Sequence, residues 1–235
     1  LQDSIEQEER LLLEIGEINH DIRGTLRLGI PSFCGQCFLP SVLPVFSKEY
    51  PAVCLELYEK TGYKIERALL DQSIDLGILH SPVINEGLTQ QTITRERILL
   101  VTRRNQEREE LLSPWHLEVQ EGHLADILGK PVIMPQPDQK LGRIVVDFFS
   151  RLDYRPPVYT HTESVVTTLQ LAAAGVGIGF TPESGLNTVS ESILRQLSFY
   201  SFPNTLSEWR IIYIVRQGYQ LPFFGKRFVE LFTQY

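Results

Sequence analysis

The stretch that decides the fold is residues 24–79, GTLRLGIPSFCGQCFLPSVLPVFSKEYPAVCLELYEKTGYKIERALLDQSIDLGIL. Its first segment, residues 25–30, alternates apolar and polar residues and ends at a proline, which predicts a β-strand. Ser32 suits the N-cap of a helix running to about residue 47, in which Pro40 predicts a late start or a kink. The remaining elements predicted here are a strand over 53–59, a helix over 63–71 and a short buried strand over 74–79. This order of strands and helices predicts a parallel α/β sheet.

The same alternation resumes beyond a polar stretch at residues 103–123. The elements predicted outside the first stretch are strands at 97–102, 131–134, 157–160, 176–180 and 208–217, and helices at 139–152, 163–174 and 221–235. We interpret this order as two Rossmann-like subdomains joined by two crossing strands. Subdomain I comprises residues 24–102 and 207–235, and subdomain II comprises residues 103–206. Such an architecture predicts a hinged cleft, into which the strand carboxyl ends and the helix N-termini point.

Residues 1–23 predict a helix in front of the first strand. Its apolar positions step alternately by four and three residues with two polar interruptions, a heptad pattern formed by Leu1, Ile5, Glu8, Leu12, Ile15, Asn19 and Ile22. We interpret the segment as a linker helix, and the alternative is a surface helix lying on its own domain. It carries seven acidic and two basic residues, and so most of the net charge of −7.

Composition excludes several classes of protein. The chain of 235 residues is 43% hydrophobic and 22% charged, which is typical of a soluble globular protein rather than a disordered one. No part carries the basic surplus of a nucleic-acid-binding piece, so we expect no DNA binding by this chain itself. No apolar run reaches the roughly 18 residues of a membrane helix, and the acidic N-terminus is unlike a secretory leader. Three cysteines favour a reducing compartment over a disulfide framework.

The motifs of common enzymes are missing or out of place. The glycines of Gly175-Val-Gly-Ile-Gly179 follow a predicted helix and precede a strand, which is the reverse of a dinucleotide-binding turn. Neither GxSxG nor GxxxxGK[ST] occurs, and the five histidines form no HExxH motif. We therefore expect no enzymatic activity, no catalytic residue, no metal and no cofactor.

Cys34 and Cys37 form a CxxC pair at the start of the first helix. A helix N-terminus favours the thiolate, so the pair has the position of a redox site. No second CxxC accompanies it, which argues against a closed zinc site. We expect the two thiols to serve in packing.

Small polar residues recur at the predicted turns from strand to helix. Helix N-termini offer free backbone N–H groups there, and hydroxyl side chains add further donors. Each residue alone is explained by helix capping, but their shared location predicts a site for a small polar ligand. The candidate effector-binding residues are Ser32, Phe33, Thr61, Gly62, Thr102, Gln136, Thr162, Glu163 and Ser164.

The order of these motifs resembles the effector-binding domain of LysR-type transcriptional regulators. The resemblance rests on Gly24 to Gly29, the Leu39-Pro40 pair, residues 46–53 with their Tyr-Pro-x-Val ending, and the segment 74–78. A further stretch, LQLAAAGVGIGFTP at residues 169–182, is similar to a second family signature. Together these cover nearly the whole chain from Gly24 onward.

The resemblance implies a type 2 periplasmic-binding-protein-like fold with a small-molecule effector in the cleft between subdomains. It implies a cytoplasmic, non-enzymatic domain whose full-length protein binds promoter DNA through a winged helix-turn-helix that is missing from this chain. It also implies effector contacts at Ser32, Thr61/Gly62, Thr102 and Glu163/Ser164. Gly62 stands where many members have Ser or Thr, and the carboxylate of Glu163 leaves a cationic or zwitterionic effector open.

The family further implies a homodimer or tetramer without membrane contact. Two helices carry more apolar residues than one buried stripe requires, so we expect dimerisation through residues 33–46 and 141–152. Two other functions stay open at this point: a solute-binding protein of a transport system, and a redox-sensing regulator that uses Cys34 and Cys37.

Overall fold

The computed structural model describes residues 22–104, 117–118, 129–202 and 209–233. The predicted linker helix lies almost entirely outside these ranges. The described chain forms two compact units, one built from residues up to 94 and from 210 onward, and the other from residues 95–209. The subdomain bounds expected from the sequence, 24–102 with 207–235 and 103–206, stay a prediction.

Strands and helices alternate along most of the chain. The strands are β1 Gly24–Ile30, β2 Val53–Glu59, β3 Leu76–His80, β4 Leu88–Glu96, β5 Ile98–Arg103, β6 Leu117–Glu118, β7 Val132–Pro135, β8 Val158–Thr162, β9 Gly179–Pro182, β10 Leu197–Ser201 and β11 Trp209–Arg216. The helices are α1 Ser32–Glu49, α2 Gly62–Leu70, α3 Lys140–Arg151, α4 Val165–Ala173, α5 Glu191–Leu194 and α6 Phe223–Thr233, with a 3-10 helix at Glu183–Thr188. The predicted elements of residues 24–79 all form, with ends that shift by one or two residues, whereas β4, β6 and β10 were not anticipated.

The first unit carries a five-stranded sheet in the order β2-β1-β3-β11-β4. β1 runs parallel to both β2 and β3, with Ile30 opposite Glu59 and Gly29 opposite Gly77. β11 is antiparallel to β3. The predicted parallel arrangement is therefore confirmed for the first three strands, whose carboxyl ends all lie at one edge of the sheet.

Helix α1 begins earlier than its prolines suggest. It starts at Ser32 and continues through Pro40 and Pro44, so the late start expected from Pro40 is wrong. Each interior proline costs about 3 kcal/mol through the lost hydrogen bond and the steric clash. Burial of seven residues along α1 outweighs this cost, since a fully buried large apolar side chain contributes about 1.5–3 kcal/mol.

Most apolar side chains of α1 pack in the core of their own unit. Phe38, Val42 and Phe46 are buried, and the Phe46 ring meets Phe228 of α6 edge-on at 4.9 Å between centroids. Val45, on the same helix, is exposed. The expectation that Val42 and Phe46 face a partner is therefore wrong, because both side chains already pack inside the unit.

The second unit contains a four-stranded sheet, β6-β10-β5-β9, and a parallel pair, β7-β8. An isolated parallel bridge between Val132 and Ile178 connects β7 to the residue just before β9. β5 is antiparallel to β9 and to β10. The carboxyl ends of β7, β8 and β9 thus point the same way, and the carboxyl end of β5 points the opposite way.

Candidate functional site

The first unit brings its predicted site residues to one edge of the sheet. Ser32 and Phe33 open α1 directly beyond β1, and Thr61 and Gly62 lie at the start of α2 directly beyond β2. Because β1 and β2 are parallel neighbours that end in register, both helices begin at the same edge of the sheet. This arrangement offers a row of backbone N–H donors at the edge.

Ser32 is the first helical residue and not the N-cap that the sequence predicted. The N-cap is Pro31, whose carbonyl oxygen accepts the first helical hydrogen bond from the Gly35 N–H at 2.9 Å. The Ser32 side chain is exposed, and no side chain caps either α1 or α2. The hydroxyls of Ser32 and Thr61 are thus not engaged in capping.

His80 is the residue of this edge that sequence reasoning missed. It ends β3, beside β1, and its half-buried ring stacks on Phe33 at 6.4 Å between centroids with an interplanar angle of 27°. The Cys34 sulfur lies 3.5 Å from His80 Nδ1 and 3.9 Å from Nε2. These partners are separated by 46 residues, so no local pattern relates them.

A buried glutamate holds the loop that follows His80. Glu66 on α2 is 2% exposed, and its Oε2 accepts hydrogen bonds from the backbone N–H groups of Ile84 and Asn85 at 3.2 and 3.1 Å. The Asn85 side chain donates to the same oxygen at 2.6 Å. Glu66 therefore fixes α2 against this loop, which keeps the Thr61 end of the helix in place beside β3.

The second unit brings Gln136 next to Thr162. Gln136 follows β7, and its backbone N–H donates to the carbonyl oxygen of Thr162, the last residue of β8, at 3.2 Å. Gln139 reaches across with its side-chain amide to the carbonyl oxygen of Glu163 at 3.4 Å. The two turns thus form one connected polar edge.

Ser164 and Thr162 organise the start of α4. The Ser164 hydroxyl accepts the N–H of Thr167 at 3.1 Å, as an N-cap does, and the Thr162 hydroxyl accepts the N–H of Ser164 at 3.1 Å. Glu163 between them is exposed. Ser164 therefore has a structural task in addition to any binding role.

The structure does not place Thr102 with the other candidates of the second unit. Thr102 is 4% exposed near the carboxyl end of β5, where its hydroxyl accepts a hydrogen bond from Lys130 at 3.4 Å. β5 is antiparallel to β9, so Thr102 lies at the edge opposite the one where β9 ends. Strand direction, which the residue pattern does not reveal, accounts for this separation.

The amino end of β5 brings charged residues to the edge where β9 ends. Arg97 and Glu183 form a two-pronged ion pair, with the Arg97 Nη2 and Nε groups 2.6 and 3.1 Å from Glu183 Oε1. Glu96 is buried, and its Oε2 accepts the Ser184 N–H at 2.7 Å. Burial raises the pKa of the Glu96 carboxyl, and Oε1 has no hydrogen-bond partner within the described chain.

The chemistry of these edges is that of binding. They present hydroxyls, amides and helix N–H groups, which hold polar ligands by hydrogen bonds. Among the residues that the structure describes, no three His, Cys, Asp or Glu side chains are grouped to hold a metal ion. No helix in the described ranges is both long and apolar enough to cross a membrane.

A family model for the LysR substrate binding domain matches residues 19–235. The chain belongs to this family. This match confirms the resemblance read from the sequence.

Relatives of similar sequence are named as transcriptional regulators. YwbI of Bacillus subtilis, an uncharacterized HTH-type transcriptional regulator, is 23% identical over 210 residues, which cover 88% of this chain and 65% of YwbI. The transcriptional dual regulator GltC of the same organism is 24% identical over 172 residues, which cover 73% of this chain and 55% of GltC. The chain thus spans less than two thirds of these relatives.

Solved structures share the fold. The effector-binding domain of BenM with its effector benzoate matches with a TM-score of 0.71 at 20% identity, covering 91% of this chain and 92% of that one. A LysR-family regulator from Pseudomonas aeruginosa matches with a TM-score of 0.74 at 14% identity, covering 97% of this chain and 79% of that one. The predicted α/β fold of the type 2 periplasmic-binding-protein kind is confirmed.

Proposed function

We propose that this chain is the effector-sensing domain of a DNA-binding transcriptional regulator. The observation that carries the proposal is the family match over residues 19–235, which coincides with donor-rich edges in both units. The same match favours a regulator over a solute-binding protein of a transport system. The effector is a small polar molecule, and its candidate contacts are the helix N-termini of α1 and α2 in the first unit and the turns at Gln136 and Thr162 to Ser164 in the second unit.

DNA recognition belongs to a part of the protein outside this chain. The net charge of −7 gives the chain no general attraction for phosphates, and its relatives with HTH-type names are longer than the segment matched. The full-length regulator is cytoplasmic, binds promoter DNA through a winged helix-turn-helix and assembles as a dimer or tetramer. It is not an enzyme, since its effector acts by shifting a conformational equilibrium.

A thermal-shift screen of the purified chain against a metabolite panel tests this function. A ligand that binds only the folded state raises stability by RT ln(1 + [L]/Kd), about 2.7 kcal/mol at a hundredfold excess over Kd. We expect one chemical class of small polar metabolite to raise the melting temperature, and a DNA duplex at physiological salt to leave it unchanged. A panel-wide absence of shifts, together with tight DNA binding by the chain alone, would contradict the proposal.

A further inference from the structure

We infer that Cys34 and Cys37 form an oxidisable dithiol, with Cys34 as the thiol that reacts first and a small hydroperoxide as its oxidant. The sequence led us to expect a packing role for both thiols. We depart from that expectation because the structure places the His80 ring against the Cys34 sulfur. It does not depend on the proposed effector site.

Helix geometry sets the two thiols one turn apart. Cys34 is the third residue of α1 and Cys37 the sixth, and both side chains are buried. Residues three apart in an α-helix have Cα atoms about 5 Å apart, inside the range that a disulfide spans. The backbone separation therefore permits a Cys34–Cys37 bridge.

His80 distinguishes the two thiols. Its Nδ1 lies 3.5 Å from the Cys34 sulfur, within reach of the thiol proton. Cys34 also lies in the first turn of α1, at the end of the helix where the macrodipole is positive. An imidazole base and a helix N-terminus both favour a thiolate, which is the nucleophilic form of cysteine.

Because Cys34 is buried, only a small oxidant can reach its thiol. The Cys34 side chain has no exposed surface, and its sulfur lies against the half-buried His80 ring, on which Phe33 stacks. A bulky disulfide such as oxidised glutathione does not fit in so enclosed a place. Hydrogen peroxide, which is little larger than water, fits where small fluctuations of these side chains open a path.

The reaction balances with the residues present and one peroxide. His80 takes the proton of Cys34, the thiolate attacks one peroxide oxygen, and the O–O bond breaks. The leaving hydroxide takes the proton back from His80 as water, and Cys34 becomes a sulfenic acid. The Cys37 sulfur then attacks the Cys34 sulfur, the S–O bond breaks, and the hydroxide leaves as a second water with the Cys37 proton. Both sulfurs are oxidised, and both peroxide oxygens are reduced.

Closing this bridge changes the start of α1. Side chains three apart in a helix have Cβ atoms about 5–6 Å apart, whereas a disulfide needs about 3.8 Å. The first turn must therefore adjust, and that turn carries Ser32 and Phe33. Oxidation thus alters the candidate binding edge of the first unit.

The test uses the 235-residue chain with Cys54→Ser, which removes the exposed third thiol. The reduced protein is treated with hydrogen peroxide, and its peptides are mapped by mass spectrometry. We expect the loss of two hydrogen masses, a linkage between Cys34 and Cys37, and reversal by dithiothreitol. Oxidised glutathione at the same concentration leaves both thiols free. Folded protein that keeps both thiols under peroxide would overturn the inference.

Two further variants test the order of events and the role of His80. In Cys37→Ser, the reaction stops at a Cys34 sulfenic acid, which mass spectrometry records as a gain of one oxygen mass on the peptide that contains Cys34. His80→Asn slows oxidation by about tenfold, since an ordinary thiol is only about 3% ionised at pH 7. His161→Asn, at an exposed histidine of the second unit, leaves the rate unchanged. Equal rates for His80→Asn and the parent, with both folded by circular dichroism, would contradict the role of His80.

Discussion

Gln136 donates its backbone N–H to the carbonyl oxygen of Thr162 over 3.2 Å, so the turns that follow β7 and β8 form one connected edge. Through this bond the candidate residues of the second unit other than Thr102 become neighbours. In the first unit the parallel pairing of β1 and β2 places Ser32 and Thr61 at the same edge of the sheet. Some residues hold such an edge together, whereas others are available to a ligand.

Ser32→Ala and Ser164→Ala should differ in stability. The Ser164 hydroxyl caps α4, so its loss costs about 1 kcal/mol of unfolding free energy. Ser32 is exposed and caps nothing, so its loss stays within about 0.5 kcal/mol. Urea unfolding of both variants checks this difference in stability.

Ser32→Ala should also weaken effector binding. For a metabolite found by the thermal-shift screen, we expect its affinity to fall about fivefold, or about 1 kcal/mol. An unchanged affinity in calorimetry would remove Ser32 from the site.

Gly142→Ala should disrupt the edge of the second unit. A Cβ at this position would lie 2.0 Å from the carbonyl oxygen of Gln136, and backbone cannot move aside as a flexible side chain does. We expect a loss of about 1–3 kcal/mol in unfolding free energy. Gly62→Ala is the matched control, because its Cβ would meet only Leu79 Cδ1 at 3.8 Å. Equal stability of the two variants would show that the Gln136 turn is not tightly packed.

Glu96 should make stability depend on pH. Burial raises the pKa of the Glu96 carboxyl in the folded protein above its unfolded value. The stabilisation that Glu96 gives the folded state is therefore fully present below the pKa of the unfolded chain. It is lost as pH rises through the pKa of the folded chain, because the folded chain must then hold a buried charge. As pH rises, the unfolding free energy of the parent therefore declines, and Glu96→Gln removes the part of this decline that is due to Glu96. Urea titration between about pH 4 and 8 measures it. Glu86→Gln, at an exposed site, keeps the decline. A profile that is the same in all three proteins would contradict the assignment.

Val45→Glu tests the predicted dimer. Val45 is 39% exposed on α1, whereas Val42 is fully buried in its own unit, so a charge at Val42 would unfold the chain instead of reporting on an interface. We expect the parent to run at twice the mass of one chain in size exclusion with light scattering, and Val45→Glu to shift toward the monomer because an unpaired charge at an interface is costly. Ser47→Glu, also exposed on α1, serves as the control. A monomeric parent at tens of micromolar would refute the interface on α1.

Sequence periodicity predicted the strands and helices whose apolar and polar residues follow a regular repeat. β1 alternates buried and exposed residues over much of its length, and α2 presents Ile65, Ala68 and Leu69 on one buried face, so periodicity alone located them. β4 was missed because it is polar and mostly exposed, and its pairing with β11 makes it a strand. The proline rule failed in α1 because burial of its apolar face outweighs the lost hydrogen bonds.

The candidate site was predictable where a turn joins a strand to a helix. Ser164 was found because a hydroxyl before an apolar helical run is a local signal. His80 was not, since its partners Phe33 and Cys34 lie far from it in the chain and meet it only through the pairing of β1 with β3. The place of Thr102 in its sheet was not predictable from local pattern, because the direction of β5 depends on its antiparallel partner β9.

The most direct test of the effector site is hydrogen exchange measured by mass spectrometry, with and without a metabolite that raises the melting temperature. We expect the ligand to protect the first turns of α1, α2 and α4 and the turn at Gln136, while the exposed face of α1 around Val45 exchanges as before. Protection that spares all four of these turns, in a chain that demonstrably binds the metabolite, would contradict it.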